Sequence, residues 1–387
     1  MIDFFQLFFL FLIFLLINSY LLYPVVLKII SLFLRKLKYS ISEEPSVSIV
    51  ISAYNEEKVI EKRITNIATL EYDFNKIEVI VGSDNSSDRT NEILLKLKDK
   101  YSWLKFYSFN IRRGKASVIN DLVSKAKNEI LIFTDANVMF DEKVLRNIAP
   151  HFSDPKVGGV SGQILLSEPK SLQTKDVEEQ NYWSYENFIK KTEGRCGIQV
   201  GGNGGIYAIR RNLYKATPET KAVTDDLFAP FSLLSPGYKY LFEDKAIAYE
   251  EMSRNIYDEF KRKVRFFSTN FQTLFYFKGL LFTKNLLISY ELWSHKVIRW
   301  ATPLFLILFF LLSIYLFNTA VFFKWILIIQ IFFYLMSAIG YLLMKKGLYI
   351  SLFSIPFYVG LVNLALCKGF LQFVFKKHKG YWETTPR

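Results

Sequence analysis

Two dense apolar stretches enclose a middle of mixed composition, and a single water-soluble core does not account for that layout. The first stretch, FFQLFFLFLIFLLINSYLLYPVVLKIISLFL, runs from Phe4 to Leu34; the second runs from Thr302 to Phe375. A membrane crossing takes about 20 apolar residues. The first stretch meets that length, is too long for a signal-peptide core and lacks a small-residue cleavage site. Arg35, Lys36 and Lys38 follow it at once. Positive charge collects on the cytoplasmic side of a span, so the N-terminus is expected outside and the middle in the cytoplasm.

The second stretch divides into Pro303–Phe317, Val321–Met344 and Tyr349–Phe373. Lys345 and Lys346 belong inside by the same rule, and so do Lys376, Lys377 and Lys379. Three full crossings cannot satisfy both clusters. One segment is therefore expected to be re-entrant or interfacial, and Pro356 and Gly360 mark the last as the most irregular.

Lysine and arginine total 49 against 36 acidic residues, a net charge of +13. The basic residues flank the spans instead of forming one stripe, which points to anionic lipid and away from nucleic acid. Two cysteines, Cys196 and Cys367, exclude a disulfide framework. His151, His295 and His378 show no metal-ligand spacing.

In the middle, short β-branched runs end in polar residues and are followed by helical patterns. PSVSIVISAYNEE (45–57) ends in Asn55 and Glu56, KIEVIVGSDNSSDRT (76–90) carries Asp84, and EILIFTDAN (129–137) ends in Asp135 and Asn137. Alternation of strand and helix predicts a parallel sheet with helices on both faces. Ligands of such sheets sit beyond the carboxyl ends of the strands. One terminal Asp is ordinary turn chemistry; three polar ends at one edge suggest a site.

No GxGxxG or P-loop is present, so phosphate would be held by charge neutralisation. Asp135 and Asn137 suit a magnesium-type oxygen site, and Asp84 suits a nucleotide hydroxyl or base. Lys115 in IRRGKASVIN either reaches phosphate or is a solvated helix start. In VTDDLFAPFSLL (223–234), Thr224 caps a helix whose first turn favours Asp225 and Asp226, or one of these carboxylates is a general base. Arg262 and Arg265 share a face of a basic, aromatic-rich helix (257–277), suited to a membrane surface and, at Arg265, to a diphosphate.

ISAYNEE, VGSDNSSDRT, RGKASVIN, FTDAN, GGNGGIYAIRR, TDD and RKVRF, in this order, resemble the motifs of membrane-embedded family 2 glycosyltransferases, the group of hyaluronan, chitin, cellulose and poly-N-acetylglucosamine synthases. The resemblance covers about 46–277. It implies an α/β, Rossmann-like GT-A domain in the cytoplasm between transmembrane helices, and inverting transfer from a nucleotide sugar, usually UDP-linked. The expected layout is an N-terminal span (1–40), the transferase domain (41–255), interface helices (256–300), C-terminal spans (301–375) and a tail (376–387). The resemblance also implies that Ala53, Tyr54, Glu56 and Asp84 hold the nucleotide. Lys115, Arg262 and Arg265 would serve the phosphates, and Asp135 with Asn137 would bind Mg2+ or Mn2+. Asp226 would be the base, with Gly202, Asn203, Gly204 and Asp225 bordering a lipid or glycan acceptor.

Two departures stand out. Asn137 replaces the second carboxylate of the metal motif. Phe266 and Arg262 replace the Trp and Gln of the QxxRW-type motif, which favours single-sugar addition over processive polymerisation. A non-catalytic nucleotide-sugar-binding membrane sensor is the alternative from another class; carboxylates at four separate sites argue against it. The expected location is the inner membrane, with several crossings and lipid contacts.

Overall fold

The computed structural model describes residues 3–34, 44–167, 176–219, 221–251, 256–348 and 350–375. The flanking cations Arg35, Lys36, Lys38, Lys376, Lys377 and Lys379, together with His378, Trp382 and the 376–387 tail, lie outside the described residues. At the N-terminus α1 (Phe4–Ile17) continues through a wide π turn at 18–22 into α2 (Tyr23–Phe33). Asp3 accepts the N–H of Gln6, whose side chain accepts the N–H of Asp3 in return, a capping box that fixes where the helix starts.

The middle runs β1 (Val47–Ala53), α3 (Ile60–Ile67), β2 (Ile77–Asp84), α4 (Thr90–Lys100), β3 (Leu104–Phe109), α5 (Lys115–Lys125), β4 (Ile130–Asp135), β5 (Met139–Phe140), α6 (Val144–Ile148), β6 (Val157–Ser167), α7 (Asp176–Cys196), β7 (Tyr207–Arg210), α8 (Asp225–Leu234) and β8 (Lys239–Glu251). One sheet results, in the order β3-β2-β1-β4-β7-β6-β8-β5. Strands β3, β2, β1 and β4 are parallel, as the strand–helix alternation predicts. Strands β6 and β8 are parallel as well, and two strands correct the expectation of a parallel sheet: β7 is antiparallel to β4 and β6, and β5 is antiparallel to β8. The chain enters β7 beyond the carboxyl end of β4 and runs back along it, Tyr207 opposite Phe133. Strand alternation divides the core. Ile49 and Ile51 face the layer of α3, α4 and α6, whereas Val50 and Phe133 face α5 and α8.

After β8 come α9 (Ile256–Tyr276), α10 (Leu286–Glu291), α11 (Ile298–Tyr315), α12 (Val321–Lys345) and α13 (Ser351–Val374). A π turn at 292–297 joins α10 to α11, so the 300/301 boundary expected from sequence falls inside one helical stretch. Among the described residues, four stretches are long and apolar enough to cross a membrane: Phe4–Phe33, Leu286–Tyr315, Val321–Lys345 and Ser351–Val374. The irregularity expected in the last of them is not found. Pro356 stands near the start of α13, where it removes one backbone hydrogen bond, and the helix continues through Gly360.

Candidate active site

The register of the parallel strands brings three polar ends to one edge. Ala53 lies beside Ser83, and Ser52 beside Asp135. Just past β1 and β2, Asn55 (φ 54°) and Asn85 (φ 58°) adopt the left-handed conformation that Asn tolerates better than most residues. The two turns are tied together: Asn55 Oδ1 accepts the Ser87 N–H at 2.8 Å, and Thr90 Oγ1 accepts the Glu56 N–H at 2.8 Å. The guanidinium of Arg112 lies 3.8 Å from the ring centre of Tyr54. Ala53, Tyr54 and Glu56 thus line the edge next to the β2–α4 turn.

Asp84 is buried. Its two oxygens accept the backbone N–H groups of Arg113 and Gly114, each at 2.8 Å. Gly114 has φ 92°, a conformation a side chain would strain. Asp84 therefore holds the loop that launches α5, and α5 opens with Lys115. The Lys115 ammonium stands between two carboxylates, 2.8 Å from Asp135 Oδ1 and 2.6 Å from Asp225 Oδ2. Burial disfavours its charge, but the two carboxylates outweigh burial and raise its pKa above the usual lysine value. Lys115 is not a solvated helix start: it cross-links the strand edge to α8.

Asp225 and Asp226 open α8, as the sequence pattern suggests, but the cap is built differently. Thr224 makes no side-chain cap. Its hydroxyl donates instead to α9, where Thr269 Oγ1 lies at 2.7 Å and Asn270 Oδ1 at 2.8 Å, and Thr273 Oγ1 accepts its N–H at 3.0 Å. The Asp226 N–H is bonded locally, to Asp225 Oδ1 at 3.1 Å. The turn that carries both carboxylates is thereby bolted to α9. Arg265 lies one helical turn before Thr269 on the same face and close to Arg262.

Asp226 has a buried Oδ1 with no hydrogen-bond partner among the described residues. Burial, and then the neighbouring Asp225, push its carboxyl up to about 7, against the pull of Lys190, Lys296 and Lys115. The Gly202 N–H donates to the Asp226 carbonyl at 2.7 Å, and the place of a side chain on Gly204 is 3.5 Å from Asp225 Oδ1. Asn203 is buried, with its Nδ2 on the Gly162 carbonyl at 2.6 Å and its Oδ1 accepting from Lys190 Nζ at 2.5 Å. Gly202, Asn203 and Gly204 thus border Asp226.

The structure brings together Asp84, Lys115, Asp135, Asp225, Asp226 and the 202–204 loop. Arg262 and Arg265 lie on α9, the helix that holds Thr224 through Thr269, Asn270 and Thr273. Asn137 follows Asp135 in the turn after β4. Sequence reasoning missed Lys190, Thr269, Asn270 and Tyr240, whose buried hydroxyl also lacks a partner among the described residues. Nothing in NFIKKTEG distinguishes Lys190 from a surface lysine.

A divalent cation fits the donors at the strand edge. Among the described residues no three His, Cys, Asp or Glu side chains form a metal cluster. The space between Asp135 and Asp225 nevertheless draws in a cation, the Lys115 ammonium, and Asp135 with Asn137 offers the oxygen donors a hard ion prefers.

Residues 48–217 match the domain family Glycosyl transferase family 2. The poly-beta-1,6-N-acetyl-D-glucosamine synthase of Staphylococcus aureus (strain COL) is 25% identical over 267 residues, 64% of this chain and 64% of that protein. The synthase of the same name from Staphylococcus epidermidis is 25% identical over 222 residues, 57% of this chain and 53% of that protein. The matches thus span less than two thirds of these relatives' length. The solved mannosyltransferase PcManGT from Pyrobaculum calidifontis, in complex with GDP-Man and Mn2+, shares the fold at a TM-score of 0.71 and 19% identity, covering 95% of this chain and 99% of that one. A mixed, Rossmann-like sheet with polar strand ends at one edge, matched over 48–217, identifies the chain as a carrier of a glycosyl transferase family 2 domain with the GT-A fold, flanked by apolar helices.

Proposed function

We propose that the chain is an inverting membrane glycosyltransferase, moving a sugar from a UDP-linked donor to a lipid-linked or glycan acceptor in cell-surface glycan synthesis. The observation that carries this reading is the placement of Asp226. A carboxylate with a buried, unpartnered oxygen adjoins a cation–carboxylate cluster at the nucleotide edge of the sheet.

Asp226 takes the proton of the acceptor hydroxyl as its oxygen attacks the anomeric carbon. The bond from that carbon to the diphosphate breaks, and its electron pair leaves with the diphosphate. Ala53, Tyr54 and Glu56 hold the nucleotide, and Asp84 acts through the loop it anchors. Lys115, released from Asp135 and Asp225, would meet the diphosphate charge together with Arg265 and Arg262. A Mg2+ or Mn2+ ion held by Asp135 and Asn137 would neutralise the leaving group further. Gly202, Asn203, Gly204 and Asp225 border the acceptor. The catalytic domain faces the cytoplasm from the inner membrane.

The relatives' name supports a second reading, processive synthesis of a polysaccharide, whereas Phe266 in place of Trp favours single addition. Sizing the product of the purified enzyme with one UDP-sugar separates the two. The test of the base is Asp226→Asn, which should abolish transfer and leave donor binding intact. Undiminished turnover would remove Asp226 from the mechanism.

A further inference from the structure

Helix α13 passes for a fourth membrane span by length and hydropathy, but its neighbours place its two ends at one depth. Depth can be read along α11 and α12, which run antiparallel. Gln330 Nε2 donates to Ser313 Oγ at 2.7 Å. Trp300 lies thirteen residues before Ser313 and Leu343 thirteen after Gln330, so the two share a level, about 20 Å from that bond.

The N-terminal part of α13 packs at this level. Tyr341 and Phe357 have ring centres 6.0 Å apart, the backbone of Phe353 abuts Gly340, and the place of a side chain on Gly360 is 2.8 Å from Ser337 Oγ. The C-terminal part packs at the same level. Phe271 of α9 lies 5.4 Å from Trp300, 5.2 Å from Phe370 and 6.0 Å from Phe373, ring centre to ring centre. From Phe353 to Phe373 the helix is about 30 Å long. A crossing would put those ends on opposite faces of the hydrocarbon layer.

Helix α9 makes the same point independently. It runs alongside α13 in the same direction. Glu259 accepts from the Tyr358 hydroxyl at 3.2 Å, and Lys368 stands 5.6 Å from the ring of Phe260. The place of a side chain on Gly369 is 2.9 Å from the Val264 carbonyl oxygen, and Phe275 meets Phe373. The first part of α9 carries Asp258, Glu259, Lys261, Arg262, Lys263 and Arg265. Ionised side chains are costly inside a bilayer, so a helix packed lengthwise on this one stays out of the hydrocarbon interior. Lys368 is exposed, as headgroup depth allows.

We propose that α13 does not cross the membrane. It lies on the membrane surface beside α9, on the side that carries the catalytic domain, and the two helices form a platform against the anionic headgroups of that leaflet. The chain then crosses three times, at Phe4–Phe33, Leu286–Tyr315 and Val321–Lys345. Lys345 and Lys346, at the end of α12, then fall on the catalytic side, as positive charge beside a span favours.

The test uses the full chain in sealed inverted vesicles. An epitope tag after Arg387 should be digested by added protease together with the catalytic domain. Protection of the tag while the domain is digested would overturn the proposal. A second measurement needs no protease. With Cys196 and Cys367 replaced by Ser, nitroxides placed singly at the exposed positions Leu352, Leu364 and Phe375 report depth through collision with oxygen and with a water-soluble nickel chelate. All three should lie within about 10 Å of the headgroups. A Leu364 label at mid-bilayer, about 15 Å deep, would equally overturn it.

Discussion

The two halves of the sheet hold their polar residues in different ways. In the half made of β3, β2, β1 and β4, strand register alone aligns Ala53, Asp84 and Asp135 at one edge. In the half containing β7, β6 and β8, the polar groups belong to helices and loops and are fixed by long-range contacts: Lys190 to Asn203, Thr224 to Thr269 and Asn270. The β1–β4 edge is built by backbone pairing, which tolerates side-chain change. The other side is built by side chains, each of which leaves a buried partner behind when removed.

The largest expected break falls where the halves meet. Asp226→Asn should lower kcat about 100- to 10,000-fold, the usual weight of a general base, with donor affinity retained in a nucleotide-binding assay. As the proposed base, Asp226 should also set the acidic limb of the pH profile. Because burial and Asp225 push its carboxyl up to about 7, the base form is lost as pH falls below that value. The rate at saturating donor should therefore drop about tenfold per pH unit below 7 and level off above it. A flat profile between pH 5 and 7 would move the base elsewhere.

Next comes the polar network that ties the domain to the helices flanking it. His295 faces Glu193 at 2.5 Å and Glu186 at 3.1 Å, Tyr23 donates to Glu193 at 2.6 Å, and Arg299 pairs with Glu186 at 2.6 Å. Burial works against both glutamates, yet the neighbouring His295 holds their pKa values below the usual carboxylate range. Glu193→Ala leaves the rest of the buried network uncompensated and should destabilise the protein by about 3–5 kcal/mol. Thermal unfolding in detergent measures it; an unchanged midpoint would show that the network does not join the domain to these helices.

On the nucleotide side, Lys115→Met should weaken donor binding and turnover together, about 10- to 100-fold, as loss of about 1.5–3 kcal/mol from one charged hydrogen bond implies. Unchanged donor KM would make Lys115 a structural cross-link only. The smallest effect belongs to the bolt between α8 and α9. Thr269→Val removes one hydrogen bond from Thr224, which keeps Asn270, and should cost about 1 kcal/mol of stability with a modest fall in kcat. A loss as large as that of Asp226→Asn would give α9 a direct role in the chemistry.

Much of this was legible beforehand. Apolar runs of spanning length mark the flanking helices, because the bilayer sets their length. Short, β-branched apolar runs ending in Asn, Asp and Glu mark β1, β2 and β4, because a parallel strand ends where its polar groups reach water. The antiparallel direction of β7 was not legible. Strand and helix still alternate through β6, α7, β7, α8 and β8, so alternation alone predicts a parallel β7; its direction comes instead from where the GGNGG loop enters. The Thr224 cap failed for a related reason: local pattern predicts a hydroxyl turned to its own helix, whereas a polar stripe on α9, 45 residues away, competes for it and wins.

The sequence by itself determined the periodic and local features: apolar helices around an α/β domain, carboxylates at the strand ends, two Asp residues at a helix start. Only the tertiary structure decided that Lys115 stands between Asp135 and Asp225, respectively 20 and 110 residues away. It alone decided that Lys190 reaches Asn203 and that both ends of α13 return to one level. The reason is physical. Periodicity and turn preference act over a few residues and are written in the order of the chain. Ion pairing and depth in a membrane depend on distances through space, which the chain order does not contain until the backbone is folded.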